Sequence, residues 1–124
     1  MNAEQRQYLE ACRERYVSDL CNDIMPFWLK NGLDRVHGGV YTCLDRDGTL
    51  MDRTKSVWFQ GRFGFVAAYA YNNVRKDAGW LEASRSCIEF MERHCFDTDG
   101  HNFWNSRFCP MLDLHCSSLV FHLD

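Results

Sequence analysis

Three long stretches of this sequence carry apolar residues at the three- and four-residue spacing of an amphipathic helix, and this periodicity constrains the fold more than any other feature. The first stretch covers residues 4–28. Its apolar stripe consists of Leu9, Cys12, Tyr16, Leu20 and Ile24, widened by Tyr8, Val17 and Cys21. Pro26 should kink this helix or end its regular part, and Gly32 after Asn31 should stop it with a left-handed backbone.

The second and third helices are predicted further along the chain. The second covers residues 55–72, with Thr54 as its N-cap and Gly61 allowing a close contact with a neighbouring helix. Its expected buried face consists of Val57, Trp58, Phe65, Val66, Ala68 and Tyr69. The third follows a turn at residues 77–79 and runs over residues 80–94, with a stripe of Trp80, Leu81, Ser84, Cys87, Ile88 and Met91.

Short strands are predicted between the helices. Residues 38–44 and 49–51 flank the turn Asp45-Arg46-Asp47-Gly48 and should pair as a hairpin. A similar turn at residues 97–100 suggests an internal repeat of helix pairs. The predicted fold class is therefore all-α with short β-hairpins, in which antiparallel helix pairs carry the hairpins at one end.

Composition excludes several classes of protein. The 124 residues are 46% hydrophobic, which is enough to bury the core of one domain. The 14 basic and 17 acidic residues are scattered, without the basic stripe that phosphate binding favours, so we expect no nucleic-acid partner. A polar start and the lack of a long apolar run predict a cytoplasmic protein with no membrane partner. The seven cysteines should then be reduced thiols, several of them acting as small core hydrophobes.

The second helix places one cation among aromatic residues. At helical spacing, a single stripe contains Trp58, Arg62, Phe65 and Tyr69. In one interpretation, Arg62 presents its planar donors to a polar ligand while Trp58 stacks on a sugar ring. In the other, Arg62 pairs with Asp52 or Asp45 and holds the hairpin onto the helix.

Metal and cofactor sites are not expected. The last third of the chain is rich in possible zinc ligands: His94, Cys95, His101, Cys109, His115, Cys116 and His122. Zinc binding is therefore an alternative, but the closely spaced cysteine pair of a typical zinc site is missing. The two Asp-Gly turns lack the rest of a calcium-binding EF-hand loop. No glycine-rich phosphate loop is present, so we predict neither a metal nor a cofactor.

A series of motifs in fixed order carries further information. They are Phe27-Trp28, Asp34, Gly38-Gly39-Val40-Tyr41, Leu44-Asp45, Asp47-Gly48, Lys55, Trp58-Phe59-Gln60-Gly61-Arg62 and Cys95-Phe96-Asp97-Thr98-Asp99-Gly100. This order resembles the amino-terminal part of the N-acylglucosamine 2-epimerase family over about residues 8–100. The W-x-Q-G-R element after a G-G-V-Y hairpin is the more specific part of the match. The resemblance implies a partial (α/α)6 barrel, a ring of inner helices surrounded by outer ones.

The resemblance also implies a reaction and a small-molecule sugar substrate. Family members interconvert sugars that differ at carbon 2, such as N-acetylglucosamine and N-acetylmannosamine, by removing a proton and returning it to the opposite face. By the motif match, Arg62 contacts the sugar, with Trp58, Gln60 and Tyr41 as weaker candidates. For Tyr41 and Gln60 the alternatives are hairpin packing and a hydrogen bond on the helix surface. A homodimer is a further expectation for the full-length protein.

The family's catalytic histidines, which lie on later helices, have no match in this chain. None of His37, His94, His101, His115 and His122 fits the pattern, so we assign no catalytic residue. Residues 1–100 should form the amino-terminal part of the barrel. Residues 101–124 should form a divergent tail of a truncated or frame-shifted product that is inactive alone. The alternatives are a non-catalytic interaction module, whose incomplete helix pairs offer apolar faces to a partner, and an unstable fragment.

Overall fold

The computed structural model describes residues 1–96, 98–101 and 105–107 and is mostly helical, with two small antiparallel strand pairs. Its helical elements are α1 (Ala3–Asp19), a π-helical turn (Leu20–Ile24), α2 (Met25–Asn31), α3 (Val57–Asn73) and α4 (Ala78–His94). Its strands are β1 (Cys43–Leu44), β2 (Leu50–Asp52), β3 (Thr54–Ser56) and β4 (Asn105–Arg107), paired as β1–β2 and β3–β4. The prediction of helices joined by short strands is confirmed.

The first predicted helix is interrupted where Pro26 led us to expect it. The regular α-helix ends at Asp19, and in the π-helical turn that follows the Met25 N–H reaches back to the Leu20 carbonyl. The helix ends at Asn31 as predicted, but Gly32 has φ −90°, so the expected left-handed stop is wrong. Glycine is needed there for space, since a Cβ would lie 2.5 Å from the Trp28 ring.

The core lies between α3 and α4, which pack as an antiparallel pair. Its buried apolar residues include Met25, Val40, Phe63, Ala67, Ala70, Trp80, Ala83 and Cys87. The two helices come close at Gly64, where a Cβ would lie 3.3 Å from that of Cys87 and the Ser84 hydroxyl donates to the Gly64 carbonyl at 2.8 Å. At Gly61 the space is ordinary, so the prediction of the close contact at Gly61 is wrong.

The buried face of α3 is not the one that periodicity predicted. Trp58, Phe65 and Tyr69 are 59%, 66% and 57% exposed, whereas the buried residues of α3 are Gln60, Phe63, Gly64, Ala67 and Ala70. Because α3 is apolar nearly all round, its sequence does not select one face. Small residues decide the packing, since they let the two helix backbones approach more closely. On α4, Leu81 and Ile88 of the predicted stripe are likewise exposed.

The start of α3 also differs from the prediction. Thr54 is not an N-cap and Lys55 is not helical, because Thr54–Ser56 form β3 and pair with β4. The helix begins at Val57, and the N-cap residue Ser56 makes no capping hydrogen bond with its side chain. The physical reason is the Lys55 side chain. An extended backbone directs this side chain into the protein interior, where it is 1% exposed.

The predicted hairpin is confirmed with shorter strands. Cys43 and Leu44 pair with β2, and the turn between the two strands has Gly48 at φ +90°. Residues 38–42 form a loop instead of a strand, with Gly38 and Gly39 both at positive φ. Of the second predicted turn, residues 98–100 are described as a turn, while Asp97 lies outside the described residues. The internal repeat stays a prediction.

The apolar stripe of α1 forms a helix but finds no partner among the described residues. No residue of α1 is buried, and Tyr8, Leu9 and Tyr16 are each more than half exposed. An Asn2–Gln5 capping box begins the helix, with hydrogen bonds of 2.8 and 3.0 Å. Within the described residues, α1 is therefore stabilised by local interactions.

The described part of the chain has three features that concern membranes, metals and thiols. None of its helices has the length and apolarity to cross a membrane. No group of three or more possible metal ligands occurs within it, and the zinc candidates Cys109, His115, Cys116 and His122 lie outside it. Its five cysteines are free thiols, of which Cys43 is exposed.

Candidate functional site

The exposed face of α3 carries the predicted aromatic stripe with its single cation. The Arg62 guanidinium carbon lies 4.3 Å from the centroid of the Trp58 ring, one helical turn away. Further along, the Phe65 and Tyr69 rings are 5.9 Å apart. Helical spacing of four and three residues brings these side chains together, so the structure places Arg62 and Trp58 side by side on an open surface.

The alternative partners of Arg62 are engaged elsewhere. The Asp45 carboxylate accepts from the Arg46 backbone N–H at 2.7 Å, and one Asp52 oxygen accepts from the N–H and hydroxyl of Thr54 at 3.1 Å each. The ion pairs found among the described residues do not include Arg62. A guanidinium stacked on an indole keeps its in-plane N–H groups for a ligand or solvent.

Gln60 lies on the opposite side of α3 and is fully buried. Its Oε1 accepts from the Val40 N–H at 2.8 Å, and its Nε2 donates to the Val40 carbonyl at 2.7 Å. The Gln60 side chain thus makes the two hydrogen bonds to Val40 that the backbone of a neighbouring strand would otherwise make. This placement favours the packing alternative for Gln60 over direct contact with a sugar.

The loop before β1 surrounds a buried ion pair. The Lys55 Nζ lies 2.7 Å from Asp34 Oδ2 and donates to the Gly38 carbonyl at 2.6 Å. The same ammonium lies 4.4 Å from the Phe90 ring centroid and 5.0 Å from that of Tyr41. The other Asp34 oxygen accepts from the backbone N–H groups of Val36 and His37, at 3.0 Å each. Every polar atom of the pair is therefore engaged.

Electrostatics keep this pair charged. Burial alone would raise the pKa of Asp34, but hydrogen bonds from Lys55 and from the loop N–H groups outweigh it and hold the pKa well below its usual value. Burial lowers the pKa of Lys55, and the Asp34 carboxylate opposes that shift. Burial and the neighbouring Asp34 raise the pKa of Tyr41. Tyr41, which lies beside the ion pair, is therefore neutral at physiological pH.

Sequence reasoning recorded Asp34 and Lys55 only as motif positions and missed their contact. The available signal was a lysine directly before an apolar helix, together with an aspartate following another. A buried lysine requires a carboxylate partner, but the separation of 21 positions in the sequence conceals the pairing.

Two described histidines lie around the ion pair and not on the Arg62 face. The His37 Nδ1 is 3.3 Å from Asp34 Oδ2, and the His94 ring is 5.0 Å from the Phe90 ring. Burial and the nearby positive charge of Lys55 lower the pKa of His94. Both imidazoles therefore lie on the α4 side of α3, opposite the exposed stripe.

Comparison with known proteins agrees with the resemblance that the motifs indicate. No family model matches the chain. N-acylglucosamine 2-epimerase of Homo sapiens is 33% identical over 93 residues, covering 73% of this chain and 22% of the relative. The enzyme of Rattus norvegicus is 39% identical over 90 residues, covering 71% of this chain and 21% of the relative. The chain thus spans about a fifth of the length of the curated relatives it matches.

Solved structures agree in fold. Cellobiose 2-epimerase from Spirochaeta thermophila DSM 6192 superposes with a TM-score of 0.75 at 25% identity, covering 86% of this chain and 26% of the other. D-mannose isomerase superposes with a TM-score of 0.65 at 22% identity, which supports the fold alone. By its sequence relatives and its fold, the chain belongs to the N-acylglucosamine 2-epimerase and cellobiose 2-epimerase family.

Proposed function

We propose that this chain supplies the sugar-binding face of an isomerase that interconverts N-acetylglucosamine and N-acetylmannosamine, or a related aldose pair, by proton transfer at carbon 2. The observation that carries the proposal is the Trp58–Arg62 stack, which is exposed on α3 within the W-x-Q-G-R element. The named activities of the similar proteins support it.

The stack combines two groups that suit a sugar. The indole face of Trp58 packs against the C–H groups of a pyranose ring or its opened chain. The Arg62 guanidinium donates hydrogen bonds in one plane to the sugar oxygens, and its positive charge stabilises negative charge that develops on an oxygen when the carbon 2 proton leaves. Stacking on the indole also restricts the arginine side chain before the ligand arrives. Tyr41 and Gln60 are weaker candidates, which we assign to positioning.

The partial (α/α)6 barrel gives the exposed faces a place. In this proposal α3 is an inner helix and α4 its outer partner. The stripe of Trp58, Arg62, Phe65 and Tyr69 then faces the barrel interior, which explains why an apolar face is open in this chain. Residues 1–100 contribute this part of the barrel. The homodimer and the cytoplasmic location remain predictions.

We assign the proton-transferring groups to later helices of a full-length relative and not to the histidines of this chain. Epimerisation needs an acid and a base near neutral pH on the two faces of the sugar. His37 and His94 lie around Asp34 and Phe90, on the far side of α3 from Arg62. We therefore propose that the 124-residue chain alone holds a sugar without exchanging its carbon 2 proton.

Sugar binding tests the first part of the proposal. Titration of the ¹⁵N-labelled chain with N-acetylmannosamine should shift the Trp58 indole and Arg62 Nε resonances. Arg62→Ala should weaken binding roughly tenfold or more, because a charge-assisted hydrogen bond is lost. Arg85→Ala is the matched control, since Arg85 is an exposed arginine on α4. Equal affinities of the two variants would contradict the proposal.

Proton exchange tests the second part. In heavy water, the chain alone should leave the carbon 2 proton of N-acetylmannosamine, N-acetylglucosamine and mannose unexchanged, while a full-length relative incorporates deuterium. Uptake by this chain that is lost in Arg62→Ala would show that the chain supplies its own acid and base. In that case our assignment of the histidines would be wrong.

A second candidate function is a non-catalytic interaction module. The open apolar residues of α1 and α3, such as Tyr8, Leu9, Tyr16 and Phe65, favour it. Sedimentation velocity over a hundredfold concentration range separates the possibilities. A stable monomer that binds sugar supports the epimerase proposal, whereas self-association abolished by Leu9→Glu supports the module. Polydisperse aggregation that persists in that variant indicates an unstable fragment.

A further inference from the structure

We propose that the buried Asp34–Lys55 ion pair acts as a positioning device, which sets the first turn of α3 and through it the orientation of the Trp58–Arg62 stack toward a sugar. The inference rests on the proposed function of that stack. It assigns to Asp34 and Lys55 a role that acts through other residues and not by contact with the ligand.

The surroundings of Lys55 exclude direct contact with a ligand. Its side chain is 1% exposed, and the ammonium is enclosed by Asp34, the Gly38 carbonyl and the Phe90 and Tyr41 rings. Two of its protons are donated to Asp34 and to the Gly38 carbonyl, and a side chain buried to this degree does not reach a sugar on the exposed face of α3. The effect of Lys55 must therefore pass through the backbone that it anchors.

That backbone leads directly into α3. Lys55 is followed by Ser56, whose side chain makes no capping hydrogen bond, so ordinary capping does not fix the start of the helix. Besides the pairing of β3 with β4, two tethers to the preceding loop hold this backbone. Lys55 binds Asp34 and Gly38, and the Ser56 N–H donates to the Thr42 hydroxyl oxygen at 2.9 Å.

The loop in turn is fastened to both α3 and α4. The Gly39 N–H donates to the Ser86 hydroxyl oxygen of α4 at 2.9 Å, and Gln60 of α3 holds both backbone groups of Val40. A Cβ at Gly39 would lie 2.7 Å from the Gln60 Oε1. The loop is thus a rigid base, and the ion pair connects it to the residues just before Trp58.

A buried ion pair differs from an apolar contact in how narrowly it restricts geometry, more than in how much it stabilises the fold. Replacing a buried ion pair by apolar residues of similar volume is often neutral or stabilising, so such a pair is weak evidence for stability alone. Its hydrogen bonds, however, define a single geometry. We therefore expect an apolar replacement to keep the fold but to loosen the first turn of α3.

The test compares the double variant Asp34→Leu/Lys55→Met with Glu89→Leu/Arg93→Met. The control removes an exposed ion pair from α4, whose atoms are 3.1 Å apart. N-acetylmannosamine should bind about tenfold more weakly to the first variant, a loss typical of groups that support a ligand contact indirectly. The control should bind as the original chain does. Unchanged affinity in a folded double variant would overturn the proposal.

A measurement without sugar separates this inference from the proposed function. Arg62 protons held over the Trp58 ring experience its ring current, which shifts their NMR signals upfield. In the double variant these signals should move toward those of a solvated arginine, whether or not any sugar binds. If the original chain binds no sugar, the proposed function fails, but the ring-current shift still decides on positioning. An unchanged shift in the double variant would refute it.

Thr42→Val offers a milder variant in case the double variant does not fold. It removes only the acceptor for the Ser56 N–H, which is the second tether of α3. We expect a smaller loss of the Arg62 ring-current shift, in the same direction. A folded Thr42→Val chain with the original shift would show that the loop does not position the stack.

Discussion

Replacing Gln60 by methionine should destabilise this chain more than any surface substitution. Methionine has a similar volume and shape, so the change creates little empty space. It removes the partners of the Val40 N–H and carbonyl, which now bind Gln60 at 2.8 and 2.7 Å. Val40 is 0% exposed, so water does not readily replace these bonds.

The magnitude follows from those two groups. Leaving a buried donor or acceptor unsatisfied costs about 1–3 kcal/mol, so the loss of both partners should lower the free energy of unfolding by about 2–6 kcal/mol. Natural domains are stable by only about 5–15 kcal/mol, so this is a large part of the total. With a urea m-value of about 1–2 kcal/mol/M, the midpoint should fall by at least about 1 M.

Urea unfolding followed by circular dichroism measures the effect. Gln7→Met is the matched control, because Gln7 lies exposed on α1, and its midpoint should stay within about 0.3 M of the original. A Gln60→Met midpoint as close to the original as the control's would refute the reasoning. It would mean that Val40 finds other partners and that Gln60 does not hold the loop.

Three other predictions concern the same region of the fold. Gly39→Ala should lower the free energy of unfolding by more than about 2 kcal/mol, because Gly39 has positive φ and a Cβ there would clash. Gly100→Ala should lower it by only about 1 kcal/mol, because Gly100 has positive φ but open space around it. Thermal unfolding of the two variants measures both changes. The lowered pKa of Asp34 contributes stability above the unfolded pKa of about 4 that is lost as the pH falls toward the folded value. Asp34→Asn should therefore flatten this acid limb in urea titrations between about pH 2 and 5, and an unchanged slope would contradict the assignment. Burial raises the pKa of the Cys87 thiol to about 12. Iodoacetamide should therefore modify exposed Cys43 in the folded chain and Cys87 only after unfolding. Equal labelling of the two cysteines in the folded chain, measured by mass spectrometry, would disprove this.

Local signals in the sequence predicted most of the elements. Apolar periodicity located α1, α3 and α4, and an Asp-Gly turn located the β1–β2 hairpin around Gly48. These predictions succeed because spacing and turn chemistry act over a few residues. The family motif marked Arg62 and Trp58, and the structure places them together because they are one helical turn apart.

Errors arose where distant parts of the chain decide. The sequence of α3 is apolar on several sides, and only the α4 backbone selects the face with Gly64 as the buried one. The predicted second helix began at Lys55, but the contact of Lys55 with Asp34 favours its place in β3. In both cases the deciding partner is about 20 or more residues away, beyond the reach of periodicity.

Sequence alone establishes that this protein contains long helices and tight glycine turns, and that Arg62 shares a helix face with aromatic rings. Those properties depend on neighbours within one or two turns of the chain. Tertiary packing selects which face of α3 is open and makes Gln60 and Lys55 buried supports of the loop. Burial of a polar side chain depends on partners that only folding brings within hydrogen-bonding distance.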